Sequence, residues 1–166
     1  MQIRSEHPGD ADAIHALTRN AFADAPHSSH TEQYIVDALR DAGALAVSLV
    51  AVDAEGVVGH VGLSPVKLSD GSQGWYGLGP ISVAPGRQGE GVGSALMQAA
   101  MEALDARGAA GCVLLGDPGY YGRFGFEAVP QLRLAGVPAA YFQARLLRGE
   151  WPDAEVKYHA AFGASG

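Results

Sequence analysis

The chain is poor in the residues on which many functional assignments depend. Cys112 is the single cysteine among 166 residues, which excludes an internal disulfide and a zinc site built from several thiolates. Lysine is limited to Lys67 and Lys157, the 11 basic residues form no run, and 18 acidic residues leave a net charge of −7. A surface that binds a phosphate backbone by counterion release needs the opposite balance, so nucleic acid is not expected as a partner. No apolar stretch approaches the roughly 18 residues that a membrane-spanning helix requires. The opening MQIRSEHPGDADAI also lacks a basic region followed by an apolar core. The expectation is therefore a cytoplasmic protein with no membrane association.

Glycine, in contrast, is plentiful: 23 residues, beside 9 prolines and an apolar fraction of 48%. No repeat, linker or low-complexity block divides the chain, so residues 1–166 read as a single domain. A domain of this size buries roughly 70% of the surface its unfolded chain exposes and needs no disulfide or metal to fold.

The apolar period assigns the elements. Residues 1–4 are a short extended opening, and Ile14, Leu17, Ala21 and Phe22 recur at helical spacing after the turn at Pro8 and Gly9. Thr31 is placed to cap a second helix with Tyr34, Ile35, Ala38 and Leu39 on its apolar face, ending at Gly43. Strands follow at 45–52, 57–68 and 75–84, the first two as a hairpin. Val92, Leu96, Ala99, Ala100, Ala103 and Leu104 then give a long helix that stops at Gly108. Further strands are expected at 112–115, 126–129, around 142–146 and at 155–162, with a short helix or turn at 118–124.

The segment GLGPISVAPGRQGEGVGSALM carries the clearest chemistry, because a strand runs through a glycine-rich turn into a helix. Glycines let the backbone turn tightly and approach a ligand, and the first amides of the helix have no partner within it. Such a terminus accepts a pyrophosphate. A Walker loop is excluded because neither lysine lies near the glycines, and the dinucleotide pattern G-x-G-x-x-G/A fails at Ser94 and at Leu96. The pattern Q/R-x-x-G-x-G/A fits, filled by Gln88, Gly91 and Gly93.

With that loop the chain resembles the GNAT superfamily of acetyl-CoA-dependent N-acetyltransferases. A second motif supports the resemblance: Tyr120-Tyr121-Gly122-Arg123-Phe124-Gly125-Phe126 matches F/Y-Y-x-x-x-G-F one strand beyond the helix. The segments Leu78-Gly79-Pro80-Ile81-Ser82-Val83, Leu115-Gly116-Asp117-Pro118 and Tyr158-His159-Ala160-Ala161-Phe162 are similar to a bacterial subgroup of predicted N-acetyltransferases. The resemblance implies an α/β fold with a mixed, mainly antiparallel central sheet, splayed between strands 4 and 5 and flanked by helices. It implies that Ile81, Ser82 and Val83 pair with the pantetheine arm of acetyl-CoA. Gln88, Gly89, Glu90, Gly91, Val92, Gly93 and Ser94 would hold its pyrophosphate, although many relatives carry a basic residue where Glu90 stands. Tyr121 matches the phenol that protonates the leaving thiolate. The partners implied are acetyl-CoA and an amine acceptor, with a homodimer through the late strands as a further implication.

The reaction expected is transfer of an acetyl group to a primary amine by direct attack on the thioester. Cys112, inside the apolar run CVLL, reads as a core residue and not as an acyl-carrying nucleophile. Glu32, His60 and Glu127 are all candidates for the base, and no spacing selects among them. His27 and His30 lack a third ligand, so no metal is expected. The alternative of a different class is a module that senses acyl-CoA without turnover.

Overall fold

The computed structural model describes residues 1–26 and 28–166. Its centre is a six-stranded sheet built from β1 (Gln2–Ser5), β2 (Val47–Asp53), β3 (Gly56–Pro65), β5 (Trp75–Val83), β6 (Gly111–Leu115) and β8 (Phe142–Leu146), in that spatial order. Every pairing is antiparallel except that of β5 with β6. A second sheet of three short strands, in the order β4 (Lys67–Leu68), β9 (Ala154–Lys157) and β7 (Leu132–Arg133), was not legible as a unit in the sequence.

Helix α3 (Val92–Ala106) covers one face of the large sheet. Its buried stripe of Val92, Leu96, Met97, Ala100, Met101 and Leu104 packs on Leu49, Ala51, Val61 and Leu63. The close approach needs Gly59 on β3, where a Cβ would stand 2.8 Å from Val92 Cγ1 and 2.9 Å from Leu96 Cδ1. The other face is covered by α1 (Ala11–Phe22) and α2 (Glu32–Asp41), through Ile14 and Val36 against Val50. The apolar face of α2 includes Val36 in place of the expected Tyr34, and Thr31 precedes the helix without a side-chain capping bond.

Two expected strands are shorter than their patterns suggested. Residues 126–129 contribute a single antiparallel bridge, Glu127 to Ala144, on the outer edge of β8. The alternation at 155–162 continues only to Lys157, after which the His159 ring accepts a hydrogen bond from the Ala161 amide and turns the chain into a 3-10 helix (Ala160–Gly163).

The core leaves little room for relaxation around Leu96, which is fully buried between α3 and β3. Leu96→Ala should lower the unfolding free energy by about 2–5 kcal/mol in a denaturant titration.

Candidate active site

The site begins with a defect in strand pairing. Between β3 and β5 the register runs Val61 to Ile81 and then Leu63 to Leu78, so Gly79 and Pro80 together oppose Gly62. This is a β-bulge, which bends the bulged strand and disrupts its ladder. On its other side, β5 pairs with β6 only from Trp75 to Gly77. Beyond Gly77 the two parallel strands separate, and the β6-facing edge of residues 78–83 has no strand partner among the described residues.

The bent strand leads into the turn Pro85–Arg87 and then into α3. Gly89 and Gly91 have φ of 81° and 87°, the left-handed region where a side chain is strained. The amides of residues 88–94 donate to no carbonyl or side chain among the described residues; the first donor past them is Ala95, to the Gly91 oxygen at 3.0 Å. A row of free N–H groups therefore stands at the positive end of a 15-residue helix.

These amides line a cavity of about 510 Å³. Its walls are Ile81 and Val83 from β5, Arg87, Gln88, Gly89, Gly91, Val92, Gly93 and Ser94 from the loop and helix, and Tyr120 and Arg123 from across the splay. Ser82 alternates to the opposite sheet face and is buried there, cross-strand from His60. Glu90 is half exposed and does not line the cavity; Arg87 Nε donates to it at 2.9 Å. Arg87 also pairs with Asp53 and, at 3.4 Å, with Glu55. Its charge is thus matched by three carboxylates, and Arg123 is the other cation lining the cavity.

The tyrosine segment forms a short helix, α4 (Pro118–Tyr121), started by Asp117, whose carboxylate accepts from the Gly119 amide at 2.8 Å. Two long-range bonds from β8 hold it: Gln143 Nε2 donates to the Gly116 carbonyl at 2.9 Å, and Arg145 donates to the Phe124 carbonyl at 3.0 Å. Tyr121 lies at the end of β6 with its ring against Gly116, where a Cβ would fall 2.2 Å from the ring. Burial, with a smaller contribution from Tyr120, raises its pKa above the usual phenol value, so the hydroxyl keeps its proton. Tyr120 stands edge-on to Tyr121, with ring centroids 4.9 Å apart, and the Arg123 guanidinium lies over the Tyr120 ring, 4.9 Å from its centroid. The Tyr120 hydroxyl reaches the helix terminus, 3.1 Å from where a Cβ on Gly93 would sit.

The remaining candidates lie elsewhere. Cys112 is fully buried, and burial pushes its thiol well above the usual range, which removes it as a nucleophile. Glu32 accepts both of its hydrogen bonds from the Ser28 hydroxyl, and Glu127 is exposed at the β8 edge. His27 lies outside the described residues, and among those described no cluster of three or more His, Cys, Asp or Glu side chains could hold a metal ion.

Comparison with known proteins places this arrangement in a family. The family profile described as "Acetyltransferase (GNAT) domain" matches residues 2–129. N-acetyltransferase YhbS of Escherichia coli K12 is 38% identical over 159 residues, which cover 95% of this chain and 84% of YhbS. The chain belongs to the GNAT acetyltransferase family. Among solved structures, a GNAT family acetyltransferase from Brucella melitensis in complex with acetyl-CoA is 47% identical, covers 97% of both chains and superposes with a TM-score of 0.87. The E. coli YhbS structure in complex with CoA is 35% identical, covers 99% of this chain and 93% of that one, and has a TM-score of 0.89. Both the mixed α/β sheet with flanking helices and N-acetyltransferase activity follow for this GNAT chain.

Proposed function

We propose that this GNAT domain, working as one catalytic unit in the cytoplasm, binds acetyl-CoA across the splay and transfers the acetyl group to a primary amine. The observation that carries the reading is the continuity of the free β5 edge with the unpartnered amides of residues 88–94. An extended amide-bearing chain such as pantetheine pairs with the former as a surrogate strand, and its pyrophosphate meets the latter. Arg123 adds a positive charge on the far wall, and the Tyr120 hydroxyl adds a donor near Gly93. Arg87, matched by Asp53, Glu55 and Glu90, keeps the loop in shape and leaves phosphate binding to the amides.

In this arrangement the thioester lies between β5 and the end of β6. A backbone amide near Ile81 polarises the carbonyl oxygen as the tetrahedral centre forms, a contribution that grows in a water-poor site. The neutral amine forms the C–N bond and the C–S bond breaks. Tyr121, with its raised pKa, gives its proton to the departing thiolate and is reprotonated by the proton that the attacking nitrogen sheds as the amide forms. No covalent enzyme intermediate is required, in keeping with the inert Cys112.

The direct assay is thiol release from acetyl-CoA in the presence of a panel of small amines, polyamines and peptides. Transfer to at least one amine is expected, and binding of acetyl-CoA with no release across the panel would favour the sensing alternative. Tyr121→Phe should reduce turnover by about 10²- to 10⁴-fold while leaving CoA affinity nearly unchanged in calorimetry. Gly93→Val should do the reverse of that split: its branched side chain projects toward Tyr120 at the helix terminus, so CoA Kd should rise by about tenfold or more, with the melting temperature little altered.

A further inference from the structure

A second polar assembly lies on the opposite face of the sheet, under α1 and α2. His60 on β3 is fully buried, and its Nε2 lies 2.8 Å from the Ser48 hydroxyl. Ser48 in turn donates its hydroxyl proton to Glu6, which accepts from Arg40 Nε at 2.8 Å and Nη2 at 3.0 Å. Burial alone would raise the Glu6 pKa, but the bonds from Arg40 and Ser48 outweigh it and hold the carboxyl below its usual range, so Glu6 is ionised. Ser48 has one proton and it is committed to that carboxylate. His60 Nε2 must therefore be the donor to Ser48, which leaves Nδ1 with a bare lone pair.

Nδ1 has no hydrogen-bond partner within the protein, and neither has the buried Ser82 hydroxyl. The two residues are directly opposed in the β3–β5 register, on one sheet face, and β5 is the strand whose other edge opens on the splay. Opposed side chains in an antiparallel pair begin about 4.5–5.5 Å apart at Cβ, a separation that a single water can bridge. At the far end, Glu6, Arg40 and Ser48 line a separate cavity of about 500 Å³, and the Glu6 side chain is 18% exposed.

From this we infer that His60, oriented by Ser48 and Glu6, is the base that takes the proton of the incoming ammonium through a water held by Nδ1 and Ser82. The inference rests on acetylation of an amine at the splay. The ammonium gives one proton through the water to Nδ1, the neutral amine attacks, and the imidazolium carries that proton until it leaves along Ser48 and Glu6 to solvent. Glu6 and Arg40 are the charged groups that face the ring. Burial pushes the His60 pKa down to about 4, against the pull of Glu6, so the ring is neutral at neutral pH and passes an accepted proton on to Ser48 and Glu6 without retaining it.

The test compares wild type with His60→Gln and Ser48→Ala, using an acceptor from the amine panel and an alkoxyamine that is already neutral at the assay pH. His60→Gln should lower kcat/KM for the ammonium acceptor by about 10²-fold or more, lose far less with the alkoxyamine and keep its CoA Kd. Ser48→Ala should show the same selectivity with a smaller loss. Equal losses with both acceptors, or no loss, would overturn the assignment. Imidazole nitrogen shifts of unmodified protein labelled with ¹⁵N give a readout that needs neither turnover nor a folded variant. They should report the Nε2–H tautomer in wild type, and an Nδ1–H tautomer would overturn the proposal. A wild type that releases no thiol with any amine contradicts the acetyl-transfer reading, whereas a wild type that is active and insensitive to these substitutions contradicts only the role of His60.

Discussion

The backbone of β5 past Gly77 cannot complete its hydrogen bonds within the sheet, and the arrangement of the site follows from that shortage. Buried N–H and C=O groups are costly to leave unpaired, so a strand that parts from its neighbour inside a fold needs another partner. The bulge at Gly79 and Pro80 opposite Gly62 bends the strand away. Tyr120, Tyr121 and Phe124 occupy the far side of the gap, with the segment tied to β8 through Gln143 and Arg145. A cofactor rich in amides and ending in phosphates answers both the open edge and the free helix terminus.

Charge is managed in a way that side-chain counting would miss. The loop contains an arginine and a glutamate, yet that arginine is engaged by the glutamate and by two acids from the β2–β3 turn, Asp53 and Glu55, which leaves it no charge to spare for an anion. The attraction left for an anion comes mainly from oriented backbone amides, to which Arg123 adds. An acidic chain can hold a pyrophosphate on these terms because the relevant field is local and the net charge of −7 is spread elsewhere. The two sheet faces also divide the chemistry: Ile81 and Val83 face the cavity by α3, and Ser82 faces His60 beneath α1 and α2.

Much of this was legible in the sequence wherever local pattern decides structure. The period of 92–104, the glycines at 89, 91 and 93 and the order of the two motifs identify strand, loop, helix and tyrosine turn, and each stands where the pattern placed it. What the sequence concealed depends on partners remote in the chain. Arg87 meets Asp53 and Glu55 across more than thirty residues, and Ser48 brings Glu6 to His60, so neither arrangement has a spacing to read. Tyr120 and Tyr121 are adjacent and alike in sequence; only the packing of Tyr121 on Gly116 sends one to the end of β6 and the other to the helix terminus. The late strands were overextended because alternation at 155–162 says nothing of the His159 ring that ends the strand.

The central claim is that backbone, more than side chains, holds the cofactor. Amide hydrogen exchange resolved to single residues, with and without saturating acetyl-CoA, tests it directly. The account predicts new protection concentrated at residues 81–83 and 88–94, the open edge and the free helix terminus. Unchanged exchange at residues 88–94, with protection appearing instead around the Glu6 and Arg40 cavity or in the second sheet, would contradict it.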